Sequence, residues 1–100
     1  MPRSDDRLAQ EGTVTAIAIE HHPQRHCFTV DTEGKESILQ YRLLNPDSDR
    51  PGVDFTRTYV PGELRGQGIA EALVRRGLTW ARAHELEIQA SCWYVQKFLR

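Results

Sequence analysis

A run of glycines between a β-like segment and a long amphipathic stretch constrains this chain more than any other feature. The run ending at Val60 is closed by Pro61, the chain passes Gly62, Gly66 and Gly68, and a new periodicity begins at once and lasts to Ala83. Ile69, Leu73, Gly77 and Trp80 form one apolar row and Ala70, Val74 and Ala81 the next, while Glu71, Arg75, Thr79 and Arg82 fall on the wet side. That spacing predicts an amphipathic helix from about Gly66 to His84. Glu71 and Arg75 stand i,i+4 in the favourable order. Gly77 inside the helix costs about 1 kcal/mol relative to alanine, so close packing on a strand is the reason to expect for it.

A helix that starts on a glycine loop can hold an anion. Its first N–H groups lack intrahelical partners, and the helix dipole adds positive charge there. Gly66 and Gly68 permit unusual dihedrals and close approach of a phosphate, and Arg65 adds a cation with a two-donor fork. What the loop lacks narrows the ligand. A P-loop requires Lys and then Ser or Thr after its last glycine, where this chain has Ile69 and Ala70. A dinucleotide fingerprint requires a third glycine where Glu71 stands, and the chain has no room for a second βαβ unit. The alternative for the same glycines is a plain tight connection.

One hundred residues suit a single small domain with one modest core. With 27% charged residues and a formal net charge of −1, composition does not suggest a nucleic-acid binder with a basic face. Residues 1–12 are polar and aperiodic and read as a flexible leader, leaving 13–100 as the domain. No signal-peptide core or membrane-length apolar run is present, and Cys27 and Cys92 read as separate thiols, so the expected setting is cytoplasmic, with no membrane partner.

Thr13 to Glu20 reads as a strand or an ordered arm. Cys27 to Asp31 reads as a strand, and Thr32 to Lys35 as the hairpin turn into Glu36 to Leu44, whose Ser37, Leu39, Tyr41 and Leu43 face the core. Asn45 to Gly52 is loop by composition. Val53 to Val60 reads as the next strand and Glu87 to Ser91 as its parallel neighbour across the helix, which places Cys92 at the sheet edge that also carries the Arg65 to Ala70 loop. Trp93 to Leu99 reads as a short terminal helix. His21, His22 and His26 surround a proline turn, and a surface loop is a better reading than a metal site, since no Cys or carboxylate pattern completes one. Cys27 reads as buried and Trp80 as core, while Trp93 could stack on a ligand.

The segment Arg65-Gly66-Gln67-Gly68-Ile69-Ala70 matches the Q/R-x-x-G-x-G/A signature and resembles the pyrophosphate loop of the GNAT superfamily of N-acetyltransferases. Its flanks strengthen the likeness. Thr58-Tyr59-Val60-Pro61-Gly62-Glu63-Leu64 resembles the family's fourth strand and turn, and Ser91-Cys92-Trp93-Tyr94-Val95 the segment after the next strand. Together they resemble the minimal single-domain subfamily, which carries a Cys at that place, over residues 26 to 99.

The resemblance implies an α+β, GNAT-like fold: a mixed, mostly antiparallel sheet with one long helix and a short C-terminal one. It implies acetyl-CoA as co-substrate, with the pyrophosphate held by Arg65, Gly66, Gln67, Gly68, Ile69 and Ala70 and the pantetheine amides by the backbone of Thr58, Tyr59 and Val60. Acetyl transfer to a primary amine follows, on a peptide, a protein or a small amine. The short hairpin at Thr32 to Lys35 leaves no room for the helical acceptor region of larger members, so the acceptor side should be open. The alternative is a CoA-binding sensor or protein-interaction module without efficient catalysis.

Cys92 is the first catalytic candidate, as a nucleophile or, equally, as a small residue lining the thioester pocket. Tyr94 is the second, as proton donor to the departing thiolate or as ordinary packing. The family's tyrosine for that task falls near Phe98 or Leu99, which cannot donate, and a His often stands in the subfamily where this chain has Arg57. Glu63 could be a base, though a solvated turn carboxylate suits it better. The oligomeric state expected is a monomer or weak dimer.

Overall fold

Alternating apolar positions become five strands in a computed structural model that describes residues 17–99. These are β1 (Glu20–His22), β2 (Cys27–Thr32), β3 (Lys35–Leu44), β4 (Gly52–Tyr59) and β5 (Glu87–Ala90), side by side in chain order. The first four run antiparallel and β5 lies parallel to β4. A parallel pair needs a crossover, and α1 (Ile69–Ala83) supplies it. After β5 come α2 (Trp93–Gln96) and a 3₁₀ turn over Lys97–Leu99. The architecture is α+β with a mixed, mostly antiparallel sheet.

The core lies between α1 and one face of the sheet. Phe28, Leu39, Val53 and Phe55 from the strands meet Leu73, Val74 and Ala81 from the helix, with Val95 of α2 closing the end, all fully buried. Ser37, Leu39 and Tyr41 are buried on the face that their alternation predicts. Gly77 is where the layers come closest: a Cβ there would lie 2.8 Å from Leu39 Cδ2 and 3.0 Å from Phe55 Cε1. The helix has a glycine because the strand leaves no space for more.

One irregularity positions the site. Gln40 pairs with Arg57 and Tyr41 with Phe55, so β4 carries an extra residue, Thr56, at a bulge. The bulge resets the alternation. Thr58, opposite Leu39, joins Phe55 on the α1 face, while Arg57 and Tyr59 turn to the other face.

Three expectations change. The helix begins at Ile69 rather than Gly66, because Gly66 (φ 88°) and Gly68 (φ 82°) are left-handed and belong to the loop. The leader read over residues 1–12 lies outside the described residues, as does most of the strand or arm read from Thr13; the described part, up to Glu20, reaches β1 only at its last residue. His21 and His22 are not in a surface loop. They lie half-buried on β1, opposite Phe28 and Cys27, because the Pro23–Arg25 turn is closed by His26 at φ 54° and folds β1 back on β2. His21 stacks on Phe28 with ring centroids 4.1 Å apart, and its Nε2 lies 2.8 Å from the Tyr41 hydroxyl. Trp80 packs its edge against the same two rings of His21 and Phe28. His26 alone keeps an exposed turn position.

Candidate functional site

The site begins where two strands part. β4 and β5 are paired from Gly52 with Glu87 to Phe55 with Ala90 and no further. Beyond that point β4 continues through Thr58, while the other chain turns at Ser91 into α2. The Asp54 carboxylate grips the turn: Oδ1 accepts the Ser91 N–H and Oδ2 the Ser91 hydroxyl, each at 2.7 Å. The Cys92 N–H then donates to the Phe55 carbonyl at 3.1 Å.

A cleft of about 700 Å³ opens between the diverging segments. Thr58 and Val60 form one wall, Cys92, Trp93 and Tyr94 the other, and Leu64, Arg65, Gly66 and Gly68 with the start of α1 the end. Ala72 N–H donates to the Gly68 carbonyl as the first bond of α1, so the amides of Ile69, Ala70 and Glu71 lie at the end of the helix that has no intrahelical acceptors. No atom lies within 4 Å of the Cβ position of Gly66 or Gly68. Their need for glycine is therefore conformational, and the space beside them is open to a ligand.

Of the residues singled out from sequence, Thr58, Val60, Arg65, Gly66, Gly68, Ile69, Ala70, Cys92 and Tyr94 line this one cleft. Tyr59 and Gln67 do not line it. The Tyr59 ring lies on the opposite face, 42% exposed and under the Arg57 guanidinium at 5.4 Å. Gln67 is an exposed loop residue. Arg65 Nε donates to the Val60 carbonyl at 3.0 Å, just past the end of β4, which fixes the guanidinium beside the loop.

Cys92 sits half-buried with Sγ 3.6 Å from Thr58 Oγ1. Burial alone would raise its thiol, but the Val95 amide, the Thr58 hydroxyl and the amides of Tyr94 and Thr58 face the sulfur and together hold it below its ordinary value. The thiolate at the cleft is thereby more accessible than that of an ordinary cysteine. Tyr94 behaves oppositely: burial raises its phenol, the Glu71 carboxylate adds to that, and Arg75 only opposes it in part. Its proton stays in place at neutral pH. Glu71 itself is bound to Arg75 at 2.7 Å. Phe98 packs on the Tyr94 ring at 5.3 Å. Glu63 is exposed and lies 3.6 Å from Lys35, in keeping with a solvated turn carboxylate.

Sequence reasoning missed Asp54 and Ser91. A carboxylate between two core residues, Val53 and Phe55, was the available signal, since Asp is depleted in strands and is rarely buried without partners. Among the described residues, no group of three or more His, Cys, Asp or Glu is placed to hold a metal, and no helix is long and apolar enough to cross a membrane.

Residues 25–100 match the sequence profile of the GCN5-related N-acetyl-transferases. The chain belongs to that family. Among its relatives, protein NATD1 of Bos taurus is 34% identical over 86 residues, which cover 84% of this chain and 73% of the relative. The Homo sapiens protein NATD1 is 33% identical over 86 residues, with the same shares covered, and that of Danio rerio 28% identical over 88 residues, covering 86% and 76%. In this member of the GCN5-related family, the matched region takes in β2 to β5 and both helices, and with them every residue of the cleft.

Proposed function

We propose that the cleft binds acetyl-CoA and that the protein transfers the acetyl group to a primary amine on a peptide, a protein or a small amine. One observation carries this reading: the open amides at the start of α1 and the Thr58–Cys92 pair line a single cleft, of a size suited to a small-molecule co-substrate. The amides of Ile69, Ala70 and Glu71, with Arg65, suit a pyrophosphate at one end. The β4 backbone near Thr58 suits the amides of a pantetheine arm, and Cys92 and Tyr94 lie where its thioester would end.

Two routes fit these residues. In direct transfer, the deprotonated amine attacks the thioester carbonyl, the C–S bond breaks, Tyr94 gives its proton to the departing thiolate, and the proton that the new amide nitrogen sheds returns to Tyr94 through solvent. In the covalent route, the Cys92 thiolate attacks first, takes the acetyl group and expels the CoA thiolate; the amine then attacks the acetylated Cys92 and releases its thiolate, and the proton shed by the amide nitrogen passes to the released thiolate or to solvent. The lowered thiol supports the covalent route.

Cys92→Ala and Tyr94→Phe test these roles, because removing a group needed only in the transition state lowers turnover with little change in binding. We expect Cys92→Ala and Tyr94→Phe each to lower turnover about 100-fold, the low end of what a positioned proton-transfer group contributes, with CoA affinity nearly unchanged by calorimetry. Full turnover in both variants would contradict the assignments. A second reading, CoA binding without efficient transfer, draws on Phe98, a residue unable to donate a proton, which packs against Tyr94. It requires that the wild type bind CoA and acetylate no member of a panel of amines and lysine peptides.

A further inference from the structure

Two strands that separate need something to fix the point of separation. Asp54 is only 3% exposed, although aspartate is disfavoured in strands and a buried carboxylate is costly unless it is paired and hydrogen-bonded. It faces away from α1, in register with Arg42, whose guanidinium reaches Oδ2 at 3.3 Å from a largely exposed position. The two shorter bonds both go to Ser91, the first residue after β5, one to its amide and one to its hydroxyl. The Ser91 amide has left the ladder, and the Asp54 carboxylate gives it an acceptor.

The next residue is Cys92. Its amide is held by Phe55, the neighbour of Asp54 on β4. The Ser91–Cys92 corner is thus fastened to β4 by a side chain on one face and by a carbonyl in the strand. The thiol then faces Thr58 across the cleft. A strand residue with no polar side chain would leave the corner tied by the Phe55 carbonyl alone.

We propose that Asp54 is a positioning residue: acting through Ser91, it fixes the corner at which β4 and β5 part, and so sets where the Cys92 thiol stands against Thr58. Its consequence for catalysis rests on the reading of the cleft as an acetyl-CoA site. The clasp itself is independent of that reading.

The test is the pH profile of Cys92 alkylation by iodoacetamide, read site by site by mass spectrometry, together with CoA affinity by calorimetry, on the full chain. Asp54→Ala removes both carboxylate acceptors, and Ser91→Ala removes the hydroxyl. Both should raise the alkylation midpoint by roughly half a unit to one unit, as the hydrogen bonds that favour the thiolate loosen. Ser91→Thr should restore the wild-type midpoint, and Arg42→Met should leave it unchanged. CoA affinity should fall several-fold in Asp54→Ala. A folded Asp54→Ala with the wild-type midpoint would overturn the proposal. If that variant does not fold, an unshifted Ser91→Ala overturns it just as well. Wild-type protein that binds no CoA would refute the reading of the cleft, while the alkylation profiles would still decide the clasp.

Discussion

At the residue scale, two side chains of similar chemistry do different work according to what surrounds them. Cys27 is 1% exposed, and burial raises its thiol, with Arg25 opposing; Cys92 is held below its ordinary value by the donors around it. Only the second is set up to react. Among the histidines, His21 is the one that the fold most constrains. Burial lowers its imidazole, and Arg76, His22 and His84 lower it further. A neutral His21 is therefore favoured in the fold, and the unfolded chain takes up the proton first. The stability it provides is complete above about pH 6.5, the ordinary histidine value, and is lost as pH falls from there through the lowered folded value. Urea midpoints from pH 7.5 to 5 should drop in wild type and drop less in His21→Phe; equal slopes would contradict this account. Gly66 and Gly68 could be read from the sequence because their role is local. His21 could not, because its burial depends on Phe28, Tyr41 and Trp80, which come from three other elements.

At the element scale, α1 was legible and the edge of the sheet was not. Fifteen residues of amphipathic period announce a helix, and the Glu71–Arg75 pair forms as its spacing requires. A three-residue strand such as β1 has no period to read. The β4 bulge is hidden for a related reason. Plain alternation from Val53 and Phe55 would send Arg57 and Tyr59 to the core face, and only the pairing with β3 reveals that Thr56 is extra and that Thr58 faces the cleft. Gly77 joins sequence and packing in one prediction. Gly77→Ala gains about 1 kcal/mol of helix propensity, but its methyl would lie 2.8 Å from Leu39 Cδ2 and 3.0 Å from Phe55 Cε1, in side chains that are fully buried. Overpacking costs about 1–3 kcal/mol, so we expect a net loss of about 1 kcal/mol by urea unfolding. A stabilised variant would mean that the helix can lift from the sheet.

At the scale of the whole molecule, the order of strands, the parallel pair and the cleft between its diverging ends follow from one crossover helix that starts on a glycine loop. That much was legible in Val60 to Ala83 and in the Ser91 to Val95 segment. The Asp54–Ser91 clasp was not, because residues 37 apart reveal their bond only once β5 is laid against β4. The central claim is that the loop and the Cys92 corner form one site for a CoA thioester. The most direct test is an NMR titration of labelled protein with acetyl-CoA, CoA and ATP, following the Gly66, Gly68 and Cys92 amides. The account predicts large shifts at all three with acetyl-CoA and with CoA, and weaker, loop-confined shifts with ATP. Unmoved glycine amides at saturating acetyl-CoA would contradict it, and the loop would then be a connection between β4 and α1 and nothing more.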